Sequence, residues 1–104
     1  MIVLRRVVGD SMSPTLRPSQ LVVGLRQPRI LSRWLGFLVR PGRIVIVHHN
    51  GLEKIKRIEK LKDNRLYILG DNPTASTDSR HFGWLRAEDV LAVVIWPFHS
   101  GERG

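Results

Sequence analysis

Cysteine is absent from this 104-residue chain, which excludes disulfide staples, thiolate metal sites and thiol chemistry. Acidic residues are scarce: 9 Asp and Glu stand against 17 Lys and Arg, for a formal net charge of +8. That balance suits an anionic partner such as nucleic acid, anionic lipid or an acidic peptide, but it bears on association and solubility and not on fold. No apolar run reaches the roughly 18 residues of a membrane-spanning helix. The first eight residues, Met1 to Val8, carry their apolar part before the Arg5-Arg6 pair and have no long apolar centre, unlike a secretory signal. The expectation is a cytoplasmic chain, peripheral to a membrane at most. Repeats and low-complexity segments are also missing, so residues 1–104 are expected to form a single domain, and a chain of this length buries roughly two-thirds of its unfolded surface.

What is present is a series of short β-rich runs separated by Gly, Pro and Asn turns. Residues 2–8 read as a first strand and Leu21-Val22-Val23-Gly24-Leu25 as a second. After the Pro41-Gly42 turn, Arg43-Ile44-Val45-Ile46-Val47-His48 is the clearest buried strand. Asn50-Gly51 signals a hairpin into Glu53-Lys54-Ile55-Lys56-Arg57-Ile58-Glu59, and Asp63-Asn64 turns into Arg65 to Leu69. A polar loop spans Gly70 to Gly83. Arg86 to Asp89 reads as a helical bend, and Val90 to Trp96 as the last strand, stopped by Pro97. Residues 99–104 are expected to fray. The pattern predicts a mainly β fold, an antiparallel, partly closed barrel-like sheet. One short helical or irregular insertion falls near residues 29–39. There Trp34, Leu35, Phe37 and Leu38 among arginines either pack on the core or touch a membrane surface.

Gly9-Asp10-Ser11-Met12-Ser13-Pro14-Thr15-Leu16, between the first two strands, is the stretch with the most chemistry in it. Gly9 and Asp10 can make a tight turn and Pro14 restrains its exit, which is how a backbone presents a serine hydroxyl as a nucleophile. An ordinary connecting loop has the same composition.

A nucleophilic Ser11 needs a base. His48 and His49 are adjacent and face opposite ways on a strand, while His81 and His99 have no carboxylate spaced to share a site; no spacing supports a metal either. Lysine is the alternative. On a strand Lys54, Lys56 and Ile58 point one way and Ile55, Arg57 and Glu59 the other. A lysine on the inward face would have its pKa pushed down by desolvation far enough to act as a base near neutrality. The Gly70–Gly83 loop holds more hydrogen-bonding side chains than a connector needs. It could supply a Ser hydroxyl to hold a neutral amine, and an Asp78–Arg80 ion pair to brace itself.

Four segments, taken in order, resemble the boxes of the signal peptidase I family: Gly9 to Leu16; Gly42-Arg43-Ile44-Val45-Ile46; Lys56-Arg57-Ile58; and Gly70-Asp71-Asn72 through Ser76-Thr77-Asp78-Ser79-Arg80 to Gly83. The resemblance runs from about residue 7 to Phe98. It implies a serine endopeptidase with a Ser–Lys dyad that removes an N-terminal leader from a protein substrate, with no cofactor. By carry-over Ser11 is the nucleophile, with its N–H in the oxyanion hole, and Lys56 the general base oriented by Ser76. Gly9, Asp10, Met12, Pro14, Arg57, Gly70, Asp71, Asn72, Asp78, Ser79 and Arg80 support the site.

Three departures stand out. Gly9 occupies a position where some members carry a second oxyanion hydroxyl, Arg43 replaces the usual Asp, and the expectation is a member without the membrane anchor and larger second β region typical of the family. A small chain with Gly70-Asp71-Asn72-Pro73 most resembles the proteases thought to mature nickel-type superoxide dismutase. Self-cleaving repressor-type proteases share the dyad but generally lack the Asp-Ser-Arg loop. Two other readings are a basic β-barrel that stacks single-stranded nucleic acid on Trp34, Phe37 and Tyr67, and an inactive peptide-binding relative.

Overall fold

A computed structural model describes residues 1–26 and 39–97. The expected contact of Trp34, Leu35, Phe37 and Leu38 with a membrane, the insertion near 29–39 apart from its last residue, and the 99–104 tail lie outside the described residues. Seven strands appear among the described residues: β1 (Ile2–Arg6), β2 (Leu21–Arg26), β3 (Ile44–His49), β4 (Leu52–Lys62), β5 (Arg65–Leu69), β6 (Leu85–Arg86) and β7 (Val90–Trp96). They form one sheet in the order β1-β2-β7-β3-β4-β5-β6, antiparallel at every pairing. The fold is mainly β, as expected. The sheet does not close, since β1 and β6 are its edges.

β3 explains why this chain needs no staple. Its continuous β-branched run, Ile44-Val45-Ile46-Val47, is buried on both faces, the pattern of a strand with protein on each side. Ile44 and Ile46 pack in one cluster with Val3, Val7, Met12, Leu16, Val22, Ala92 and Val94. Val45 and Val47 pack in a second with Ile58, Leu66, Ile68, Leu85, Val90 and Val93. Each fully buried aliphatic side chain contributes roughly 1.5–3 kcal/mol relative to exposure.

β4 runs longer than the alternation in the sequence indicates, because the register slips between Ile58 and Lys60 and pairing with β5 resumes through Lys62↔Arg65. A bulge of this kind breaks the period of two while prolonging the strand. The Gly70–Gly83 segment is also less irregular than a polar loop. It contains a 3-10 turn (Pro73–Ala75) and one turn of α-helix, α1 (Ser79–Phe82), capped by Asp78. Asp78 accepts from the Arg80 N–H, and His81 Nδ1 accepts from the Asp78 N–H. This reciprocal capping follows the N-cap and N3 pattern.

Candidate active site

Ser11 lies in a run of turns between β1 and β2. The Ser13 N–H donates to Asp10 O at 3.0 Å and the Leu16 N–H to Met12 O at 2.9 Å. Met12 and Leu16, at 1% and 0% exposure, pin the turn into the first cluster. Gly9 sits at φ +78°, a left-handed conformation that glycine adopts without strain. Among the described residues the Ser11 N–H donates to no backbone carbonyl.

Lys56 comes from β4, opposite Val45 of β3. Directly opposed residues of an antiparallel pair point to the same face, so the lysine stem stands among the second cluster and the residue is only 5% exposed. Its Nζ donates to Ser11 Oγ at 2.8 Å. Burial pushes the Lys56 pKa down. Asp78 opposes that shift, while Lys54 and Arg80 add to it. A neutral amine at the same distance can take the Oγ proton in place of donating one.

The loop after β5 closes on this pair. Gly70 approaches so tightly that a Cβ there would meet the Ser76 side chain and come within 2.7 Å of Ser11 O. The Asn72 N–H donates to Ser11 O at 2.8 Å, Asn72 Nδ2 donates to Asp10 O at 3.1 Å, and the Asp71 N–H approaches Met12 Sδ at 3.4 Å. Arg57 Nε and Nη2 grip Asp71 at 2.8 and 2.7 Å, and Arg57 Nη1 reaches Gly42 O at 2.7 Å. The pairing of Arg57 with Asp71 had no signal in the sequence beyond the presence of both.

Asp78, fully buried, holds the loop together. It accepts from Ser76 Oγ at 2.6 Å, the Gly70 N–H at 2.8 Å, and Arg80 Nε and Nη2 at 3.0 and 2.7 Å. Burial alone would raise its pKa. The bonds from Arg80, Ser76 and the backbone outweigh that and hold the carboxyl well below the usual carboxylate range. Ser79 Oγ accepts from the Ile68 N–H at 2.8 Å and ties the loop to β5.

This changes the part expected of Ser76. Its proton goes to Asp78, and among the described residues no hydrogen bond joins it to Lys56. A carboxylate within reach is the stronger acceptor, so the hydroxyl turns to it. Pro14 follows a cis peptide bond after Ser13 and remains exposed at the end of the turn. The described histidines stay apart: His48 is 3.7 Å from Glu53, His49 stacks on Phe82, and His81 caps α1.

Ser11 and Lys56 line a cleft of about 370 Å³. Val7, Met12 and Ile55 line it as well, with Arg5 and Glu53. Among the described residues two segments beside it have unpaired edges: β1 pairs only with β2, and β4 meets β5 only from Arg57 onward. Such edges can take an added extended peptide by main-chain hydrogen bonding.

An open antiparallel sheet with a serine and a buried lysine in contact in a cleft has the form of a serine peptidase. The family model described as signal peptidase, peptidase S26, matches residues 44–99, just over half of the chain, and the chain belongs to that family. The match takes in Lys56 and the Gly70–Gly83 loop; Ser11 lies before it. Signal peptidase I of Bacillus caldolyticus is 34% identical over 50 residues, which cover 45% of this chain and 28% of that relative. Among the described residues no helix is long and apolar enough to cross a membrane.

Proposed function

We propose that this chain is an endopeptidase that removes an N-terminal leader from a protein substrate, with Ser11 as nucleophile and Lys56 as general base. The observation that carries the reading is the 2.8 Å contact between Lys56 Nζ and Ser11 Oγ, made by a lysine whose pKa is pushed down by burial. Neutral Lys56 takes the Ser11 proton as Oγ attacks the scissile carbonyl, and then hands that proton to the leaving amine. The tetrahedral oxyanion accepts from the Ser11 N–H, an arrangement worth about 3–4 kcal/mol of barrier per donor. Water activated by the again neutral Lys56 releases the acylated fragment.

In this reading Asp78 acts at one remove. It fixes Ser76 and Gly70, and Gly70 sets how closely the loop approaches the nucleophile turn. The resemblance of Gly70-Asp71-Asn72-Pro73 to the maturation proteases of nickel-type superoxide dismutase makes a precursor of that enzyme the specific substrate we propose.

The test is incubation of the purified chain with such a precursor and mass spectrometry of the products, beside Ser11→Ala and Lys56→Met. Cleavage at a single bond near the precursor's N-terminus by the wild type, absent from both variants, is the expected result. Cleavage retained in either variant removes the dyad. Cleavage of other leader-bearing proteins but not of this precursor removes only the substrate.

A further inference from the structure

The outer face of β4, β5 and β6 carries a charge pattern that works against the fold. Lys62 pairs with Arg65, and Arg65 with Arg86, so the three stand directly opposite one another on three strands. Directly opposed residues share a face, and neighbouring strands are roughly 4.8 Å apart. Like charges placed in this way repel and weaken a sheet. Glu88 and Asp89 offset Arg86 from 3.6 and 3.8 Å. Lys62 and Arg65 form no ion pair among the described residues.

One step along the strands, aromatic rings take the place of the arginines. Tyr67 lies two residues from Arg65, on the same face, and opposite Lys60. Lys60 Nζ stands 5.2 Å from the centre of the Tyr67 ring, and the Tyr67 and Trp84 rings meet edge-on with centroids 5.3 Å apart. Trp84 remains 38% exposed, while Leu66, Ile68 and Leu85 turn the other way and are buried. Neither the cation row nor the aromatic row lines the cleft of Ser11 and Lys56.

The spacing of the two rows decides the ligand. A two-residue step along a strand is roughly 6.6 Å, so a fitting ligand holds negative charge about one sugar ring away from a flat apolar group. A nucleotide has that form, with ribose between phosphate and base. A bilayer surface fits less well, because it takes up apolar side chains that are free to insert. Here Tyr67 is already covered by Lys60 and Trp84, which leaves four cations to one open ring. A duplex keeps its bases stacked inside, out of reach of a ring on a sheet face. An unpaired strand offers a base to Trp84 and phosphates to the row beside it.

We propose that the outer face of β4, β5 and β6 is a binding site for single-stranded nucleic acid, with a base stacked on Trp84 and the backbone following Lys62, Arg65 and Arg86. Tyr67, held by Lys60, supports the Trp84 ring. The site is independent of the peptidase reading. Because a net charge of +8 attracts any polyanion, the test reads the named residues and not binding alone.

Anisotropy of a labelled oligothymidylate of about ten nucleotides, within the usual site size of such surfaces, is followed against salt. Wild type should show a log–log slope of about −2, as three phosphate contacts on a single strand require. Trp84→Leu should weaken binding about tenfold at an unchanged slope, and Trp84→Phe, which keeps a ring, should stay within about threefold of wild type. Lys62→Gln with Arg65→Gln should flatten the slope to about −0.7, whereas Arg17→Gln with Arg26→Gln, which removes the same charge elsewhere, should leave it near −2. Equal flattening by the two double variants, or full binding by Trp84→Leu, overturns the site and leaves only net charge. Tighter binding to a duplex of the same length overturns the base stack. Binding to vesicles of phosphatidylserine and phosphatidylcholine without binding to the oligonucleotide makes the face a lipid surface and overturns the proposal. Should Trp84→Leu not fold, judged by its melting curve, the slopes of the two double variants decide.

Discussion

The two segments that meet at Ser11 and Lys56 are held in opposite ways. The Ser11 turn, residues 10–16, is anchored by two apolar side chains, Met12 and Leu16, and short backbone bonds. The Gly70–Gly83 segment is anchored by one buried carboxylate, Asp78, on which two side chains and two backbone N–H groups converge. Apolar anchoring is non-directional and tolerates an exchange of shape at constant volume. A carboxylate network tolerates almost nothing, because each lost acceptor leaves a buried donor without a partner. The position of Ser11 is thus set by packing, and the distance at which the loop closes on it by charge.

Asp78→Ala breaks the contrast hardest. It should cost about 4 kcal/mol, most of it from stranding the Ser76 hydroxyl and the Gly70 N–H, since Arg80 can turn its head to water. A denaturant titration measures it. The carboxyl also has a pH signature. Its pKa is lower in the folded than in the unfolded chain, so its stabilisation is complete above the ordinary Asp value of about 3.9 and is lost as pH falls through the folded value. Asp78→Asn should therefore flatten the acid limb of the stability curve without altering its slope near neutrality.

Leu16→Ala should cost about 3 kcal/mol by leaving a cavity under the Ser11 turn, a smaller loss with no change in pH dependence. Met12→Leu sharpens the comparison from the other side. A volume-conserving exchange at a packed anchor should cost less than about 1.5 kcal/mol and keep cleavage within a few-fold of wild type. If Met12→Leu proves as damaging as Asp78→Ala, the Met12 sulfur approached by the Asp71 N–H matters more than its volume.

Much of this arrangement was readable in the sequence, for reasons that differ from element to element. β3 was evident because four β-branched residues in a row serve two cores at once, and the β3–β4 hairpin because Asn50-Gly51 needs the positive φ both residues adopt. The inward face of β4 followed from alternation up to Ile58, and the bulge beyond it hid the strand's true end. β6 was missed since two residues carry no period. α1 was missed inside a stretch read as polar loop, although Asp78 three residues before His81 is a capping signal.

At the site, residue types were readable where pairings were not. Ser11, Lys56, Ser76, Asp78 and Arg80 were all singled out, but which acceptor takes the Ser76 proton depends on how the loop folds back. Arg5 and Glu53 were not singled out at all. They lie 48 residues apart, and only the fold brings their side chains together.

The proposed peptidase chemistry turns on the charge of Lys56. Burial lowers its pKa in the folded chain, so the folded state holds fewer protons than the unfolded one as pH rises from the folded value toward the ordinary lysine value, and stability climbs across that window. The chain has only four lysines, Lys54, Lys56, Lys60 and Lys62, which makes the titration directly observable. With 13C-labelled lysine, the Cε resonance that disappears in Lys56→Met should titrate below the ordinary lysine value of about 10.4. A Lys56 signal that titrates at that ordinary value contradicts the assignment of a neutral general base beside Ser11.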